Sequence, residues 1–378
     1  MKITQVVCYV LRADIERPFY YSQGFYSSRE AILIEVRTDD GLSGWGEAFG
    51  TVDSVPVEVE RRYAPLVVGK DPSKWGPLWL CLGGLRGGHF GIISGLEIAI
   101  LDLAGKIVGQ PVHTLLGGAV RDRIQVYATG LYRLQRWQDI RVWQDGLVEE
   151  ALKYRDAGFP AAKLKIGFDP HNDVRLVRAV RDAVGNEMGL AVDANGAWDA
   201  ATAISVGRQL ESARLLWYEE PVPPTDLDGY AEVRRAVTIP IAGGERLTGL
   251  YAYRDIICRR AVDIIQPDIT VAGGFSMLQR IQTLADAHHV RLVPHCWGTA
   301  LSLAASLHFL ATLPESRLTN TPTGPLLEYD RSDNPLRDEL LIDNFKHDRG
   351  YLPVPQSPGL GVKIDPEQLC RYCVKKGD

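Results

Sequence analysis

From Ile124 onward, short apolar runs alternate with stretches of helical periodicity. The runs are IQVYATG, AAKLKIG, GLAVDAN, LLWYEEP, IPIAGGE, VDIIQPD and VRLVPH, and the helical stretches include residues 175–184 and 200–210. Apolar runs without strict alternation are typical of parallel strands that helices cover on both faces. Right-handed βαβ crossovers would close such units into a (β/α)8, or TIM-type, barrel. A doubly wound open sheet is the competing architecture.

The first third of the chain has a different rhythm. Residues 1–12 and 31–37 alternate as strands do, and the turn signal Asp39-Asp40-Gly41 precedes a third strand, LSGWGEA. Helical patterns follow over residues 56–69 and 93–108. This segment therefore predicts a separate α+β domain.

These patterns divide the chain into three parts. The predicted parts are an α+β capping domain over residues 1–123, a modified (β/α)8 catalytic barrel over residues 124–322, and a segment over residues 323–378 that ends the last barrel strand and returns to the capping domain. Two loops of the capping domain, at about residues 20–28 and 49–55, are predicted to determine substrate specificity, and the first is expected to be mobile.

Ionisable residues recur at the ends of the apolar runs, 23 to 33 residues apart. They are Lys165, Asp193, Glu219, Glu245, Asp268, His295 and Glu328. The spacing fits one strand, one helix and two loops, and the C-terminal strand ends of a barrel all open onto one face. We therefore expect these side chains to share one pocket, which favours a closed barrel over an open sheet.

Three of these residues, Asp193, Glu219 and Glu245, are carboxylates on consecutive strands. Without a cation they would repel one another and raise their own pKa values. A ligand set made only of oxygen selects Mg²⁺, or Mn²⁺ as a substitute, over zinc. The alternative is that individual carboxylates cap helices or pair with arginine. Glu220 should point away from the pocket by strand alternation and is not assigned as a ligand.

Lys163 and Lys165 form a Lys-x-Lys pair inside AAKLKIG. The two-residue period of a strand points both side chains to the barrel interior, where the two ammonium groups are expected to depress each other's pKa. Lys165, nearer the C-terminal strand end, is the candidate base, and Lys163 is expected to stay charged and hold an anion. The alternative is a solvated pair at a frayed strand end.

His295 and Asp268 end neighbouring strands in VRLVPH and IIQPD. The carboxylate would fix the imidazole tautomer and raise its basicity, which makes His295 a second candidate base, facing Lys165 across the barrel. Glu328, in PLLEYD, is expected to be protonated or hydrogen-bonded and so to stabilise a developing oxyanion.

Composition excludes several function classes. The net charge of −5 gives no electrostatic reason to expect nucleic acid or an anionic membrane as a partner. The most apolar stretch, residues 92–109, contains Glu97, Asp102 and Lys106 and predicts a buried helix, not a membrane span. The N-terminus lacks the apolar region of a signal peptide.

Six cysteines are scattered along the chain, as expected for reduced thiols in a cytoplasmic protein. Cys370 and Cys373 form a CxxC motif without a second pair or nearby histidines. A chance occurrence is favoured over a metal or redox site.

Taken together, the motifs resemble those of the mandelate racemase subgroup of the enolase superfamily, the mandelate racemase/muconate lactonizing enzyme family. The resemblance covers essentially the whole chain and rests on KLKIGF, VDANG, WYEEPVPP, AGGE, QPD followed by GGFS, and VPHCWGT. Within the subgroup these stretches are most similar to acid-sugar enzymes, in particular cycloisomerases of the galactarolactone type. The resemblance implies Mg²⁺ on the three carboxylates, bases at Lys165 and His295, support of the histidine by Asp268, and an electrophilic Glu328.

The chemistry that the resemblance implies is abstraction of the proton α to a carboxylate, through an enediolate intermediate. β-Elimination from an acid sugar or its lactone would make the protein a dehydratase or a cycloisomerase, and reprotonation from the opposite face would make it a racemase or epimerase. A non-catalytic binding protein is a third class, which the complete set of ligands and bases disfavours. The expected partner is a small-molecule carboxylate, and the expected assembly is a homo-oligomer.

Overall fold

The computed structural model describes residues 1–136, 139–315 and 324–377. An antiparallel sheet opens the chain, with strands β1 (Ile3–Tyr21), β2 (Gly24–Thr38) and β3 (Ser43–Ala48). Helices follow as α1 (Val55–Glu58), a π-helical turn (Val59–Tyr63), α2 (Ala64–Val67), α3 (Trp75–Cys81), α4 (Phe90–Val108) and α5 (Val112–Leu115). Three strands followed by helices agree with the α+β pattern of the sequence.

The region around residues 20–28 is the tip of a long hairpin, not the irregular loop that the sequence suggested. β1 and β2 stay paired up to Tyr21 and Gly24, so the turn itself is only two residues long. Tyr20 and Phe25 face each other across the strands with ring centroids 4.5 Å apart. Cross-strand aromatic pairs of this kind stabilise a hairpin, and this extension of both strands was missed.

Eight parallel strands form the barrel: β4 (Arg123–Gly130), β5 (Ala161–Lys165), β6 (Gly189–Asp193), β7 (Tyr218–Glu219), β8 (Ile241–Gly243), β9 (Ile264–Ile265), β10 (Arg291–Leu292) and β11 (Leu326–Asp330). The hydrogen-bonded order is β10-β9-β8-β7-β6-β5-β4-β11. The intervening helices are α6 (Ile140–Asp156), α7 (Pro170–Val184), α8 (Ala200–Leu210) with a 3₁₀ turn (Glu211–Ala213), α9 (Leu227–Ala236), α10 (Gly249–Cys258), α11 (Gly274–Ala287) and α12 (Ala300–Ala311).

Several barrel helices begin at an aspartate. The side chains of Asp139, Asp169, Asp199 and Asp226 accept hydrogen bonds from backbone N–H groups in the first turns of α6, α7, α8 and α9. A carboxylate at this position satisfies amide groups that have no partner within the helix. The start of each of these helices is therefore fixed locally by the sequence.

Alternate residues of the barrel strands build two layers inside the barrel. The lower layer is apolar and consists of Tyr127, Ala161, Ala191, Trp217, Ala242, Ile264 and Val293. Side chains two residues further along share the same face of a strand. Lys163, Asp193 and Glu219 lie two residues after Ala161, Ala191 and Trp217, respectively. They therefore form a polar layer directly above the apolar layer.

The last segment returns to the N-terminal domain. After α13 (Pro335–Asp338), β12 (Tyr351–Pro353) pairs with β4, and after α14 (Pro366–Tyr372), β13 (Cys373–Lys376) pairs antiparallel with β1. The sheet order of the N-terminal domain is therefore β13-β1-β2-β3. The predicted boundary at residues 322 and 323 lies outside the described residues, and the domain limits stay predictions.

Two further expectations concern α4 and the cysteines. α4 is buried over most of its length, and within the described residues no helix is both long and apolar enough to cross a membrane. All six cysteines are free thiols, and Cys370 and Cys373 lie at the end of α14 and the start of β13. In the part of the chain that the structure describes, the group of residues able to hold a metal ion lies elsewhere.

His308 on α12 gives the fold a dependence on pH. Its Nδ1 accepts the backbone N–H of His113 at 3.3 Å, and its Nε2 lies 3.0 Å from the carbonyl oxygen of Leu360. This arrangement fits a neutral ring, and burial lowers the pKa of His308 from 6.5 to about 4. Because the unfolded chain then binds the extra proton more readily, the contribution of His308 to stability is present above pH 6.5 and is lost as pH falls toward 4.

We expect His308→Gln to remove this contribution. Between pH 7 and pH 5, the free energy of unfolding of the wild type should fall by about 2 kcal/mol more than that of the variant. Urea unfolding at the two pH values measures the difference. The matched control is His288→Gln, since His288 is exposed at the end of α11. Equal pH dependence in wild type and His308→Gln would contradict the assignment.

Candidate active site

The three predicted metal ligands lie side by side at the C-terminal ends of neighbouring strands. Asp193 on β6 is directly opposite Glu219 on β7 in the parallel register, and Glu245 follows β8 by two residues. Each offers a carboxylate oxygen, and these oxygens all lie within 4.8 Å of one another. Short strands in register thus bring together residues that are 26 positions apart in sequence.

The donor set fits a hard divalent cation. Asp193 and Glu219 are fully buried, and Oε2 of Glu245 has no hydrogen-bond partner. Burial and the neighbouring carboxylates raise the pKa of Glu219 to about 7, although Lys163 opposes this shift. Ligation by oxygen alone suits Mg²⁺ or Mn²⁺.

The charges around the three carboxylates also favour a cation. Asp268 and Glu328 bring the number of acidic side chains in the pocket to five, against two lysines and His295. The surplus negative charge in a buried site is costly unless a cation compensates it.

We expect Asp193→Asn to weaken Mg²⁺ binding by roughly 100-fold or more, since the loss of even an outer-shell partner costs about 10- to 100-fold. Calorimetric titration with Mg²⁺ and Mn²⁺ measures the affinity. The matched control is Glu97→Gln, because Glu97 is also buried but lies outside the cluster. An unchanged affinity in Asp193→Asn would remove this residue from the ligand set.

Lys163 is fully buried at the centre of the pocket. Its Nζ lies 2.5 Å from Oε1 of Glu219, 2.9 Å from Oε1 of Glu328 and 3.9 Å from Oδ2 of Asp193. The alternative of a solvated lysine pair is therefore wrong. Lys163 is placed to hold an anion, as predicted, but in this structure its partners are carboxylates of the protein itself.

Lys165 lies one layer above, where its Nζ is 2.5 Å from Oδ2 of Asp193 and 3.2 Å from Oδ1 of Asn195. Lys163 does lower the pKa of Lys165, as predicted, but this repulsion does not decide the net shift of either lysine. Burial lowers the pKa of both lysines, but the carboxylates facing them, Asp193 for Lys165 and Glu219 for Lys163, outweigh it and hold both pKa values above the ordinary range. The same lysines hold the pKa of Asp193 below its usual value despite burial.

His295 and Asp268 form the predicted pair. Nδ1 of His295 is 2.7 Å from Oδ2 of Asp268, which leaves Nε2 facing Glu245 at 3.5 Å and Glu328 at 3.8 Å. Burial lowers the pKa of His295, but Glu245, Glu328 and the hydrogen bond to Asp268 outweigh it and raise the pKa to about 10. The ring is therefore held with Nε2 toward the carboxylates.

Glu328 lies within β11, the last barrel strand, and its carboxylate is buried. Burial raises its pKa, but Lys163 and His295 outweigh that effect and lower it to about 2. Oε1 accepts a hydrogen bond from Oγ1 of Thr129 at 2.6 Å, and Oε2 accepts the backbone N–H of Cys296 at 3.1 Å. The hydrogen-bonded state that the sequence predicted for Glu328 is therefore present.

Three buried polar partners were missed. Gln266 and Trp217 both donate to Oε2 of Glu219, at 2.7 and 2.8 Å, and Asn195 accepts from Lys165. Each is two residues from an assigned position on its strand or at its end, so the period-2 rule applied to every strand would have found them.

Glu220 and Arg246 form an ion pair beside the cluster, and Arg246 also reaches the cluster, since its Nε lies 3.6 Å from Oε1 of Glu245. Oε2 of Glu220 is 3.0 Å from Nη2 of Arg246, which also lies 3.4 Å from the carbonyl oxygen of Asn195. Glu220 has a positive φ of 39°, an unfavourable backbone conformation for a residue with a side chain. This backbone turn, together with strand alternation, directs Glu220 away from the three ligands.

The tip of the β1–β2 hairpin lies at the mouth of the barrel. Ser22 donates to the carbonyl oxygen of Ala194, one residue beyond Asp193, at 2.7 Å. A cavity of about 460 Å³ beside the tip is lined by residues 20–25, Arg133, Arg136 and Phe168. In contrast, the segment at residues 49–55 packs against α4, where the N–H of Phe49 bonds to Gly91.

Comparison with known protein families covers most of the chain. Residues 3–117 match the N-terminal domain of the mandelate racemase / muconate lactonizing enzyme family, and residues 146–368 match the enolase C-terminal domain-like family. The two matches correspond to the N-terminal sheet with its helices and to most of the barrel with part of the returning segment.

Characterised relatives span nearly the whole chain. D-galactarolactone cycloisomerase of Agrobacterium fabrum (strain C58 / ATCC 33970) is 37% identical over 378 residues, covering 98% of this chain and 99% of the relative. Arabinonate dehydratase of Saccharolobus solfataricus is 34% identical over 344 residues, covering 89% and 88% of the two chains. Both relatives are enzymes of acid-sugar metabolism by name.

Solved structures show the same architecture. The 3,6-anhydro-D-galactonate cycloisomerase from Zobellia galactanivorans superposes with a TM-score of 0.87 at 35% identity, covering 99% of this chain and 100% of that one. A racemase from Streptomyces coelicolor A3(2) with bound magnesium gives a TM-score of 0.85 at 27% identity, covering 98% and 100%. The chain therefore belongs to the mandelate racemase/muconate lactonizing enzyme family of the enolase superfamily.

Proposed function

We propose that this protein is an Mg²⁺-dependent enzyme that removes the proton α to the carboxylate of an acid sugar or its lactone and then eliminates a β-oxygen. The observation that carries the proposal is the cluster of Asp193, Glu219 and Glu245, with Lys165 beside it on one side and Nε2 of His295 on the other. Relatives at 30% identity or more are acid-sugar dehydratases and a lactone cycloisomerase, which supports this reaction class.

The proposed metal has a definite chemical task. Mg²⁺ held by the three carboxylates would supply the positive charge that an enediolate needs, without which an α-proton is too weakly acidic for a lysine or histidine base. Lys163 adds a fixed ammonium group in the same buried layer, and hydrogen bonds from Thr129 and the Cys296 amide hold Glu328 in place beside it.

Lys165 and His295 are proposed as the two proton-transfer groups. Lys165 takes or returns a proton through Nζ, which Asn195 and Asp193 orient. His295 does so through Nε2, because Nδ1 is committed to Asp268. When one group removes the α-proton, the other is on the opposite side of the metal ligands and can protonate the leaving oxygen. A leaving hydroxyl gives dehydration, and a leaving ring oxygen gives cycloisomerisation.

A racemase or epimerase is the second candidate. The two bases approach the ligand cluster from different strands, β5 and the end of β10, which supports proton transfer on two faces of one carbon. The structural likeness to a racemase with bound magnesium supports this reading. The same residues serve both reactions, so the products decide between them.

The substrate side of the pocket is proposed to bind a polyhydroxylated carboxylate. Tyr20, Tyr21, Ser22 and Gln23, with Arg133, line the cavity beside the hairpin tip, and Ser22 bonds to Ala194, the residue after Asp193. Hydroxyl, amide and guanidinium groups suit a sugar acid better than an aryl acid.

A homo-oligomer and a cytoplasmic location are also proposed, the latter because all six thiols are free.

The test is incubation with Mg²⁺ in D₂O against a panel of aldonates, aldarates and their lactones, followed by proton NMR. Loss of an α-proton signal with the appearance of a deoxy-methylene supports elimination and identifies the substrate. Exchange of the α-proton without a new product supports the racemase or epimerase. No change with any panel member, in protein shown by calorimetry to bind Mg²⁺, would refute the acid-sugar proposal.

A further inference from the structure

Glu47 of the N-terminal domain reaches into the barrel. It follows the two glycines of GWGEA on β3, and its side chain is 5% exposed. Its carboxylate accepts hydrogen bonds from the backbone N–H of Thr299 at 3.0 Å, from Oγ1 of Thr299 at 2.6 Å and from the backbone N–H of Ser302 at 3.1 Å. These donors form the first turn of α12, 252 or more residues further along the chain.

The residues between β10 and α12 carry His295. We call residues 295–299 the His295 loop. Every residue in it is held by a side chain from another part of the fold: His295 by Asp268, the Cys296 amide by Glu328, the Trp297 indole by Tyr132, the Gly298 carbonyl by Asn334, and Thr299 by Glu47. The loop is thus fixed at both ends by carboxylates, Asp268 at the imidazole and Glu47 at the start of the helix.

Gly298 shows how closely Glu47 fits this loop. A Cβ atom on Gly298 would lie 2.4 Å from Oε1 of Glu47, far inside van der Waals contact. The carboxylate therefore packs directly on the loop backbone while it binds the next residue.

We infer that Glu47 is a positioning residue for His295: by fixing Thr299 and packing on Gly298, it sets the orientation in which Nε2 faces the metal ligands. The inference rests on the proposed role of His295 as a proton-transfer group. The N-terminal domain then helps to position a base of the barrel, in addition to any contact that its hairpin makes with the substrate. Misplacement of a reacting group by about 1 Å can cost roughly 100-fold in rate.

The first test does not depend on turnover. In protein labelled with ¹⁵N-histidine, the Nδ1–H of His295 is assigned as the imidazole signal that disappears in His295→Asn. In Glu47→Ala this signal should shift or broaden, and in Glu47→Gln, which keeps an acceptor oxygen, it should be retained. An unchanged signal in folded Glu47→Ala would overturn the inference.

The matched control is Asp102→Asn. Asp102 is another buried carboxylate of the N-terminal domain. It accepts the backbone N–H of Trp45, on the same strand as Glu47, and that of Leu360, but neither of these partners belongs to the His295 loop. Both variants should lower the melting temperature, but only Glu47→Ala should move the His295 signal. If Asp102→Asn moves it equally, Glu47 has a merely structural role.

A milder pair covers the case in which Glu47→Ala does not fold. Thr299→Val removes the hydroxyl donor to Glu47, and Thr299→Ser keeps it. We expect the valine variant to shift the His295 signal and the serine variant to leave it in place. Equal spectra would overturn the inference.

Turnover supplies the second readout once a substrate is known. In Glu47→Ala, kcat should fall by roughly 100-fold with KM nearly unchanged, and deuterium exchange should be lost for the proton that His295 removes but not for the one that Lys165 removes. An equal loss of both exchanges would refute a specific effect on His295. If the wild type turns over no acid sugar, the NMR experiment still decides the role of Glu47.

Discussion

Replacing Lys165 with alanine is expected to lower kcat by roughly 10²- to 10⁴-fold, which is the usual contribution of a positioned acid–base group. Replacing His295 with asparagine should cause a loss of the same order, since asparagine can keep the bond to Asp268 but removes Nε2. The two variants should differ in which face of the α-carbon still exchanges its proton in D₂O. Proton NMR of stereospecifically deuterated substrate measures this difference.

The two-base assignment has a clear point of failure. If both single variants keep full turnover on the substrate found in the panel, neither residue transfers the proton. His288→Asn is the control, since this histidine is exposed on the outside of the barrel and should leave kcat unchanged. Loss of exchange on the same face in both variants would show that one base acts alone and that the other only orients it.

Replacing Lys163 with methionine is expected to have the largest effect on stability. The methionine has a similar length but no charge, so Glu219 and Glu328 would lose the ammonium group that contacts both of them inside the barrel. Removal of one partner from a buried ion pair typically costs about 3–5 kcal/mol. Urea unfolding of the wild type and the variant, each saturated with Mg²⁺ and each without it, measures the loss.

The matched control for Lys163 is Lys153→Met. Lys153 pairs with Glu149 at 2.6 Å on the exposed face of α6, where ion pairs contribute little. The free energy of unfolding of the Lys153→Met variant should be nearly equal to that of the wild type. A loss of less than about 1 kcal/mol in the free energy of unfolding of Lys163→Met would contradict the prediction. It would indicate that Glu219, whose pKa is raised to about 7, binds a proton and so compensates for the missing ammonium group.

The positions of the barrel residues were predictable because one rule places them all. A parallel strand ends at the same face of the barrel as its neighbours, so a charged residue after each apolar run must point into one pocket. Asp193 and Glu219 lie opposite each other in the register for this reason. The family resemblance then added the roles of these residues.

The ionisation of the pocket was harder to predict. The Lys-x-Lys spacing shows that Lys163 and Lys165 share a face, but it does not show which carboxylate each one meets. In the structure each lysine lies next to a carboxylate, and this attraction outweighs the repulsion between the two ammonium groups. Both lysine pKa values therefore rise. Contacts between side chains more than 25 residues apart decide such values, and a local pattern contains no information about them.

Long-range contacts also explain the other omissions. Glu47 stands in a short strand of the N-terminal domain, and nothing near it in sequence points to Thr299. The extension of the first hairpin depends on aromatic pairs such as Tyr20 with Phe25, which interrupt the simple alternation of the strands.

The pairing of β13 with β1 has a consequence for synthesis on the ribosome. Tyr9 and Val10 are partnered by Lys376 and Lys375, so one edge of the N-terminal sheet stays unpaired until residues 373–376 have been translated. Domains usually fold in the order in which they emerge, but this sheet cannot be completed until after the barrel has been made. Throughout elongation, β1 is an open edge strand of the kind that joins neighbouring chains in aggregates. Nascent chains that stop before residue 373 therefore expose this edge of β1 to other chains.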